Sequence, residues 1–367
     1  MKICYLSNSA LPSNYASSIQ IVKMCEAFSE IGNDVVLISR GINNKKKIFD
    51  FYNVKFKYLI EILDNFKKFP LGIKYYLFSI VSIFKSFEYK PEIYITRNLF
   101  TCFLLVLLRK KIILELHHDL EIESRIVKFL IKRFKYLNSS YIKKIIAITE
   151  GVQDIFVKKY FVNKKKILVS PSGSSLKNKI FYTNKKPFLN IGYFGSVYES
   201  RGFDILCNLA KLDKINNYYV YGNLNIKKNL IKLRSIKNLY LNSYIPYKYI
   251  SKEISKMDVL LMPYASSITV AGNIGDITKY TSPLKLFDYL TAGKVIMCSD
   301  FKVLREVIRE KRNAIFVKNY KNIYSWRNEI YKLKNQYSKR LIISKNNLIL
   351  SKKFSLKNRA KKIIKNI

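Results

Sequence analysis

The stretch Ser282-Pro283-Leu284-Lys285-Leu286-Phe287-Asp288-Tyr289-Leu290-Thr291-Ala292-Gly293-Lys294 reads as a polar loop, a helix with proline in its first turn, and a glycine stop ahead of an apolar strand, Val295 to Cys298. A helix opened in this way turns bare backbone N–H groups outward, and together with the positive end of the helix dipole they favour an anion. Ser282 is the expected N-cap, followed by Pro283 and Leu284 in the first turn. Lys285 adds a mobile cation at that end, and Asp288 projects from it where a carboxylate accepts hydrogen bonds from a sugar hydroxyl. In outline this is a nucleoside diphosphate site. An ordinary capped helix has the same Ser-Pro start, so its neighbours must decide between the two.

Those neighbours alternate between strand and helix. Ahead of the helix come a strand at Leu189 to Phe194, a helix at Phe203 to Leu212, strands at Tyr218 to Tyr221 and Leu239 to Leu241, a helix at Ile250 to Met257 and a strand at Val259 to Met262. Beyond it come the strand Val295 to Cys298, a helix near Leu304 to Arg309 and a strand at Ala314 to Val317. Short apolar strands between helices predict a parallel sheet covered on both faces, a doubly wound Rossmann-like domain. Such sheets bind ligands outside the carboxyl ends of their strands. Two more loops fall there: Gly195-Ser196-Val197-Tyr198-Glu199-Ser200-Arg201-Gly202, where Gly195 allows close backbone approach and Arg201 offers a planar fork to phosphate, and Tyr244-Ile245-Pro246, a wall for a base or a plain turn.

The N-terminal half repeats the pattern. Ile3 to Ser7, a helix over Ser18 to Ile31 ending at Gly32, and Val35 to Ser39 form a βαβ opening, and Ile93 to Thr96, Ile112 to Leu116 and Ile145 to Thr149 read as further buried strands. The expected division is residues 1–180, then 187–350, then a terminal helix over 351–367, with the boundary in the Lys- and Asn-rich stretch from Leu176 to Pro187. The length, 367 residues, suits two domains.

The formal net charge of +42 suits nucleic acid, an anionic membrane or phosphorylated substrates, but Lys, Ile, Asn, Tyr and Phe abound along the whole chain, which points to a compositional bias. The basic residues are dispersed and no zinc-finger, RNA-recognition or basic-zipper pattern occurs, so nucleic acid is not an expected partner. Cys4, Cys25, Cys102, Cys207 and Cys298 are scattered, without zinc or redox spacing, and read as core residues of a protein in a reducing compartment. No secretory leader is recognisable, and the longest apolar runs, near Tyr75 to Phe84 and Leu99 to Leu108, fall short of the about 20 residues a membrane span needs. A cytosolic protein is expected. The stretch Arg125 to Tyr136 puts Val127, Leu130, Ile131 and Phe134 on one stripe and Lys128, Lys132 and Lys135 on another, which fits either core packing or an anionic membrane surface.

Taken in order, Gly192-Tyr193-Phe194-Gly195 with Arg201-Gly202, Asp258-Val259-Leu260-Leu261-Met262-Pro263-Tyr264, Ser282 to Tyr289 with Ala292-Gly293, Ser299-Asp300, Leu304-Arg305-Glu306-Val307, and Phe354-Ser355-Leu356 with Arg359-Ala360 resemble the retaining glycosyltransferases of family 4 over nearly the whole chain. The resemblance implies the GT-B architecture of two Rossmann-like domains facing across a cleft, transfer of sugar from a UDP- or GDP-sugar donor to a glycan or lipid-linked acceptor with retention of configuration, and no cofactor or metal. It places Arg201 and Lys285 on the donor diphosphate and Asp288 on the ribose. Gly195, Ser196, Tyr244, Ile245, Ser282, Pro283 and Leu284 complete the expected donor site. His117, after the strand Ile112 to Leu116, takes the position of the family's histidine near the transferred sugar, with adjacent His118 as its substitute. Ser9, Asn14, Arg97 and Glu150 are the expected acceptor-binding residues. The chain departs from the family at Tyr280, where a Glu commonly contacts the donor sugar; Asp276 is a candidate replacement. Bacterial envelope polysaccharide synthesis (lipopolysaccharide or capsule) is the implied setting. A noncatalytic GT-B-like protein and a basic nucleic-acid-binding protein remain the alternatives. A nicotinamide-dependent oxidoreductase is disfavoured because the turn after Ile3 to Ser7 lacks Gly-x-Gly-x-x-Gly.

Overall fold

Short runs rich in Ile, Val, Leu and aromatic residues, most of them buried, make the strands, and amphipathic segments between them make the helices. The structure is a computed structural model that describes residues 1–63, 66, 69–176, 186–224, 230–270 and 274–367. The chain divides into two units, Met1–Ser172 with Leu356–Ile367, and Gly173–Ser355. The division falls ahead of the Lys- and Asn-rich stretch, of which residues 177–185 lie outside the described ones.

The first unit runs β1 (Lys2–Leu11), α1 (Ala16–Glu30), β2 (Asp34–Gly41), α2 (Lys45–Tyr52), β3 (Leu59–Leu63), α3 (Leu71–Ser86), β4 (Ile93–Thr96), α4 (Leu99–Leu107), β5 (Ile112–Leu116), α5 (Arg125–Phe134), β6 (Ile142–Ala147), α6 (Glu150–Tyr160) and β7 (Ile167–Val169). Its seven strands are parallel, in the order β3-β2-β1-β4-β5-β6-β7. The second unit runs β8 (Asn190–Phe194), α7 (Phe203–Leu212), β9 (Asn217–Gly222), α8 (Leu230–Arg234), β10 (Leu239–Ser243), α9 (Tyr247–Ser255), β11 (Val259–Met262), the short antiparallel pair β12 (Thr269–Val270) and β13 (Ile274–Asp276), α10 (Leu284–Thr291), β14 (Val295–Ser299), β15 (Ala314–Val317), α11 (Ile323–Asn335) and α12 (Tyr337–Lys353). Its six-stranded parallel sheet has the order β10-β9-β8-β11-β14-β15. The last helix, α13 (Leu356–Lys365), belongs to the first unit, where Leu356, Ala360 and Ile363 are buried with Ile21, Cys25 and Phe28 of α1. Each large apolar side chain sealed in this way contributes about 1.5–3 kcal/mol.

In both units the strand order reverses beside the first strand, between β1 and β4 and between β8 and β11. That is the switch point at which doubly wound sheets open a crevice outside their strand ends.

Several elements differ from the sequence reading. The expected helix at Leu304 to Arg309 is a single 3-10 turn, Lys302–Glu306, because adjacent Val303 and Leu304 both bury and no longer apolar stripe follows. Helix α9 starts earlier, at Tyr247, on Pro246. β6 ends at Ala147, and Thr149 caps α6 by accepting a 3.2 Å bond from the Val152 N–H. On α5, Val127 and Ile131 are buried, so that stripe faces the core, but Phe134 is exposed. β3, α3 and the β12–β13 pair had no counterpart in the sequence reading. All five cysteines are buried and no disulfide joins them. Among the described residues no helix is long and apolar enough to cross a membrane.

Candidate donor and transfer sites

In the second unit the chain leaving β8 turns at Gly195, whose φ of +148° disfavours any side chain; a Cβ there would also lie 2.7 Å from Lys285 Nζ. The loop therefore closes directly over that ammonium. Gly202, with φ +73°, allows the next turn to rest on the end of β11, where a Cβ would collide with the Pro263 carbonyl at 1.5 Å. This contact sets Arg201, whose Nη2 donates to the Thr269 carbonyl at 2.6 Å. Arg201 and Lys285 converge on one aromatic floor. The guanidinium lies 5.6 Å from the centre of the Tyr264 ring, and Lys285 Nζ lies 5.7 Å from the same ring and 4.1 Å from that of Tyr193. Sequence reading assigned neither tyrosine a role; their positions at the ends of β8 and β11 were the available signal.

Lys285 Nζ is buried and has no hydrogen-bond partner among the described residues. Burial, with Arg201 beside it, pushes its ammonium well below the ordinary lysine range. A second anchor comes from Ser196, whose hydroxyl meets that of Tyr244 at 3.0 Å, and Ile245 packs against the core next to it. Ser282 is not the N-cap of α10: Pro283 takes that position, with no side-chain cap, and the helix begins at Leu284. The helix thus starts one residue later than the Ser-Pro pattern predicts, because proline has no N–H to bond and holds extended backbone at ψ 126°.

Asp288 is buried. Its Oδ1 accepts from Ser174 at 2.6 Å and from Tyr247 at 3.2 Å, while Oδ2 takes neither bond. Burial raises its pKa to about 6, opposed by the two hydroxyls. Tyr280, also buried, donates to the Asp276 carbonyl at 2.7 Å, and the Asp276 carboxylate accepts from the Thr278 N–H at 2.8 Å and from the Thr278 hydroxyl. Asp276 thus holds its own turn.

In the first unit, His117 follows β5, with Nε2 3.0 Å from the Glu115 carboxylate. Glu115 is the hub of a buried cluster. Arg359 of α13 reaches it at 2.8 Å, Arg97 at 3.3 Å and the Tyr5 hydroxyl at 3.2 Å. Against the desolvation of burial, Arg359 and Arg97 hold the Glu115 carboxyl well below its ordinary range. An ionised carboxylate only accepts, so Nε2 carries the histidine proton and Nδ1 keeps its lone pair. Burial, reinforced by Arg97 and opposed by Glu115, pushes the His117 imidazole down to about 4, so it is neutral near pH 7. His118 instead directs Nδ1 to the Asp119 carbonyl at 2.9 Å.

Arg97, expected to meet an acceptor, spends its guanidinium inside this cluster: Nε donates to Tyr5 at 3.0 Å and Nη2 to Glu115. Ser9 accepts from the Ser39 hydroxyl through its carbonyl at 2.6 Å, Asn14 is exposed, and Glu150 is exposed at the first residue of α6. Arg359 belongs to the closing motif quoted above, but distance along the chain hid its pairing with Glu115. Among the described residues no group of three His, Cys, Asp or Glu side chains is placed to hold a metal ion.

No protein-family model matches the chain, and no curated protein matches it. Solved structures do. HepE from Anabaena, in complex with UDP and glucose, is 14% identical with a TM-score of 0.72, over 100% of this chain and 98% of that one. Sucrose-phosphate synthase from Thermosynechococcus elongatus is 13% identical with a TM-score of 0.71, over 99% and 97% of the two chains. WaaG, a glycosyltransferase involved in lipopolysaccharide biosynthesis, is 13% identical with a TM-score of 0.64, over 98% of each. At such identities likeness speaks for architecture alone, and with its two parallel sheets the chain has the α/β two-domain GT-B fold.

Proposed function

We propose that the chain is a retaining, metal-independent glycosyltransferase of the family 4 kind. It moves a sugar from a UDP- or GDP-sugar to a glycan or lipid-linked acceptor of bacterial envelope polysaccharide synthesis, at the inner face of the cytoplasmic membrane. The observation that carries this reading is Lys285: a buried ammonium without a hydrogen-bond partner among the described residues, beside a second cation, Arg201, at the start of α10. Uncompensated buried cations are costly, and an anion placed against them relieves that cost. The bound UDP and glucose of HepE and the lipopolysaccharide role of WaaG fit the same reading.

In the reaction, the bond between the sugar C1 and the diphosphate oxygen breaks while a bond from C1 to the acceptor hydroxyl oxygen forms on the same face. The hydroxyl proton passes to an oxygen of the departing diphosphate. Arg201, Lys285 and the N-terminus of α10 neutralise the negative charge that grows there, Gly195 lets backbone approach it, and Asp288 accepts from a ribose hydroxyl through Oδ2. His117 is neutral and oriented by Glu115, as suits a residue assigned to a sugar that becomes positive in the reaction.

The test is diphosphate release across a panel of nucleotide sugars. Arg201→Ala and Lys285→Ala should each cost about 2–4 kcal/mol of transition-state stabilisation, roughly 30- to 1000-fold in turnover. Turnover near wild type in both variants rejects the assignment.

A further inference from the structure

Helix α3 is built inside out. Its inward face carries Ser79, Ser82 and Ser86 beside Phe78 and Ile83, all buried. Ser79 Oγ meets Thr101 Oγ1 at 2.9 Å and Asn98 Nδ2 at 3.2 Å, and Ser86 Oγ meets the Tyr94 hydroxyl at 3.2 Å. Its outward face is an apolar stripe at helical spacing: Ile73, Leu77, Ile80, Val81 and Phe84, the last 66% exposed. A helix that turns serines inward and aliphatics outward meets something apolar on its outer side.

The neighbouring helices extend this face. Tyr76 of α3 bonds Ser124, the N-cap of α5, at 2.7 Å and stacks edge-on with Phe100 of α4. The outer side of α5 exposes Ile126 and Phe129 between Arg125, Lys132 and Arg133. Lys110, just past α4, lies over the Phe87 ring at 5.1 Å. Not one Asp or Glu occurs in α3, α4 or α5, whereas Lys74, Lys85, Arg125, Lys128, Lys132 and Arg133 do. Among acidic residues at the margins, Glu88 is paired with Lys85 and Glu121 with Lys159.

We infer that the outer face of α3, with α5 beside it, docks in the plane of an anionic phospholipid bilayer. The 16-residue α3 is about 24 Å long, and its polar face is already engaged by protein, so it lies in the interface and does not span. Charge selects this occupant over a second copy: two chains of +42 each repel, whereas an anionic headgroup layer attracts the cations that rim the stripe. This surface supplies the membrane setting proposed above and to that extent rests on it, but it is tested without donor or acceptor.

The full chain is mixed with vesicles of phosphatidylcholine alone or with an equal share of phosphatidylglycerol, and sedimented. Binding is expected to the mixed vesicles only, to weaken with salt, and to fall roughly tenfold or more in Phe84→Asp and in Ile80→Asp, each removing one large apolar contact. The single tryptophan, Trp326, is fully buried, so a Phe84→Trp variant reports its own site, and its emission should shift to the blue on mixed vesicles. Ile73→Asp and thermal unfolding guard against a misfolded variant. No sedimentation by the wild type, undiminished binding by the Asp variants, or a dimer in sedimentation velocity that Phe84→Asp dissolves would each overturn the inference. Diphosphate release from a nucleotide sugar should be unchanged in these variants. Lost vesicle binding with intact release in the wild type refutes only the membrane surface, and the converse refutes only the transferase reading.

Discussion

Two buried clusters of cations stand in contrast. In the first unit, Arg97 and Arg359 converge on Glu115, which also holds Tyr5 and His117, so the charges are almost closed on one another; buried Arg359 Nη1 has no partner among the described residues. In the second unit, Arg201 and Lys285 share the Tyr264 ring, and Lys285 Nζ has no hydrogen-bond partner among the described residues. A closed cluster spends its electrostatics on holding side chains in place. An open one keeps them for a group that arrives from outside. Cationic side chains thus hold a position in one unit and, on the function proposed above, bind in the other, and the difference lies in whether a carboxylate sits among them.

The contrast is broken or sharpened most strongly by Arg359→Met. Removing one partner of a buried, hydrogen-bonded pair should destabilise the protein by about 3–5 kcal/mol in urea unfolding. It should also let the His117 titration rise, because Arg359 is one of the groups that depress it. A loss of stability with no movement of His117 would reduce Arg359 to a packing residue.

Next in size is the titration of His117 itself. The chain has only two histidines, so labelled-imidazole NMR resolves them, with a His118→Gln variant for assignment. His117 should titrate near 4. Because its folded pKa lies below the ordinary value of about 6.5, its contribution to stability is present above that pH and is lost as pH falls toward 4, up to about 3 kcal/mol in all. Titration at the ordinary value would open the cluster.

The sign reverses at Asp288. A carboxyl raised to about 6 in the fold contributes stability that is fully present below about 4 and is lost as pH rises through 6. Asp288→Asn keeps an acceptor for Ser174 and Tyr247 and should therefore stabilise the protein at pH 8 by about 2 kcal/mol, with a flatter pH profile in thermal unfolding. The smallest effect is that of Lys285→Met on folding. Deleting an unpaired buried cation should leave stability unchanged or raise it by about 1 kcal/mol while turnover collapses. A marked loss of stability would mean that the open cluster is closed after all.

Much of this was legible along the chain. Phe203–Leu212 and Ala314–Val317 formed the helix and strand their apolar spacing predicts, since each packs one stripe or two faces against a core. The Gly195 and Gly202 turns were visible as glycines at strand and helix ends, and Lys285 as a cation at a helix start. What escaped were features with no local period. Helix α3 has apolar residues on its buried face, Phe78 and Ile83, as well as along its outer stripe, so its period is blurred, and β12 and β13 are too short to alternate.

By itself, then, the sequence determined the central strands and helices of both units and the loops that follow β8 and precede α10, because those follow from propensity, period and chain direction over a few residues. Tertiary structure alone decided the state of each charge: that Glu115 is met by Arg359 from 244 residues away, and that Lys285 Nζ meets no hydrogen-bond partner among the described residues. Electrostatic energy depends on distance through space and on desolvation, and neither is written in the spacing of residues along a chain.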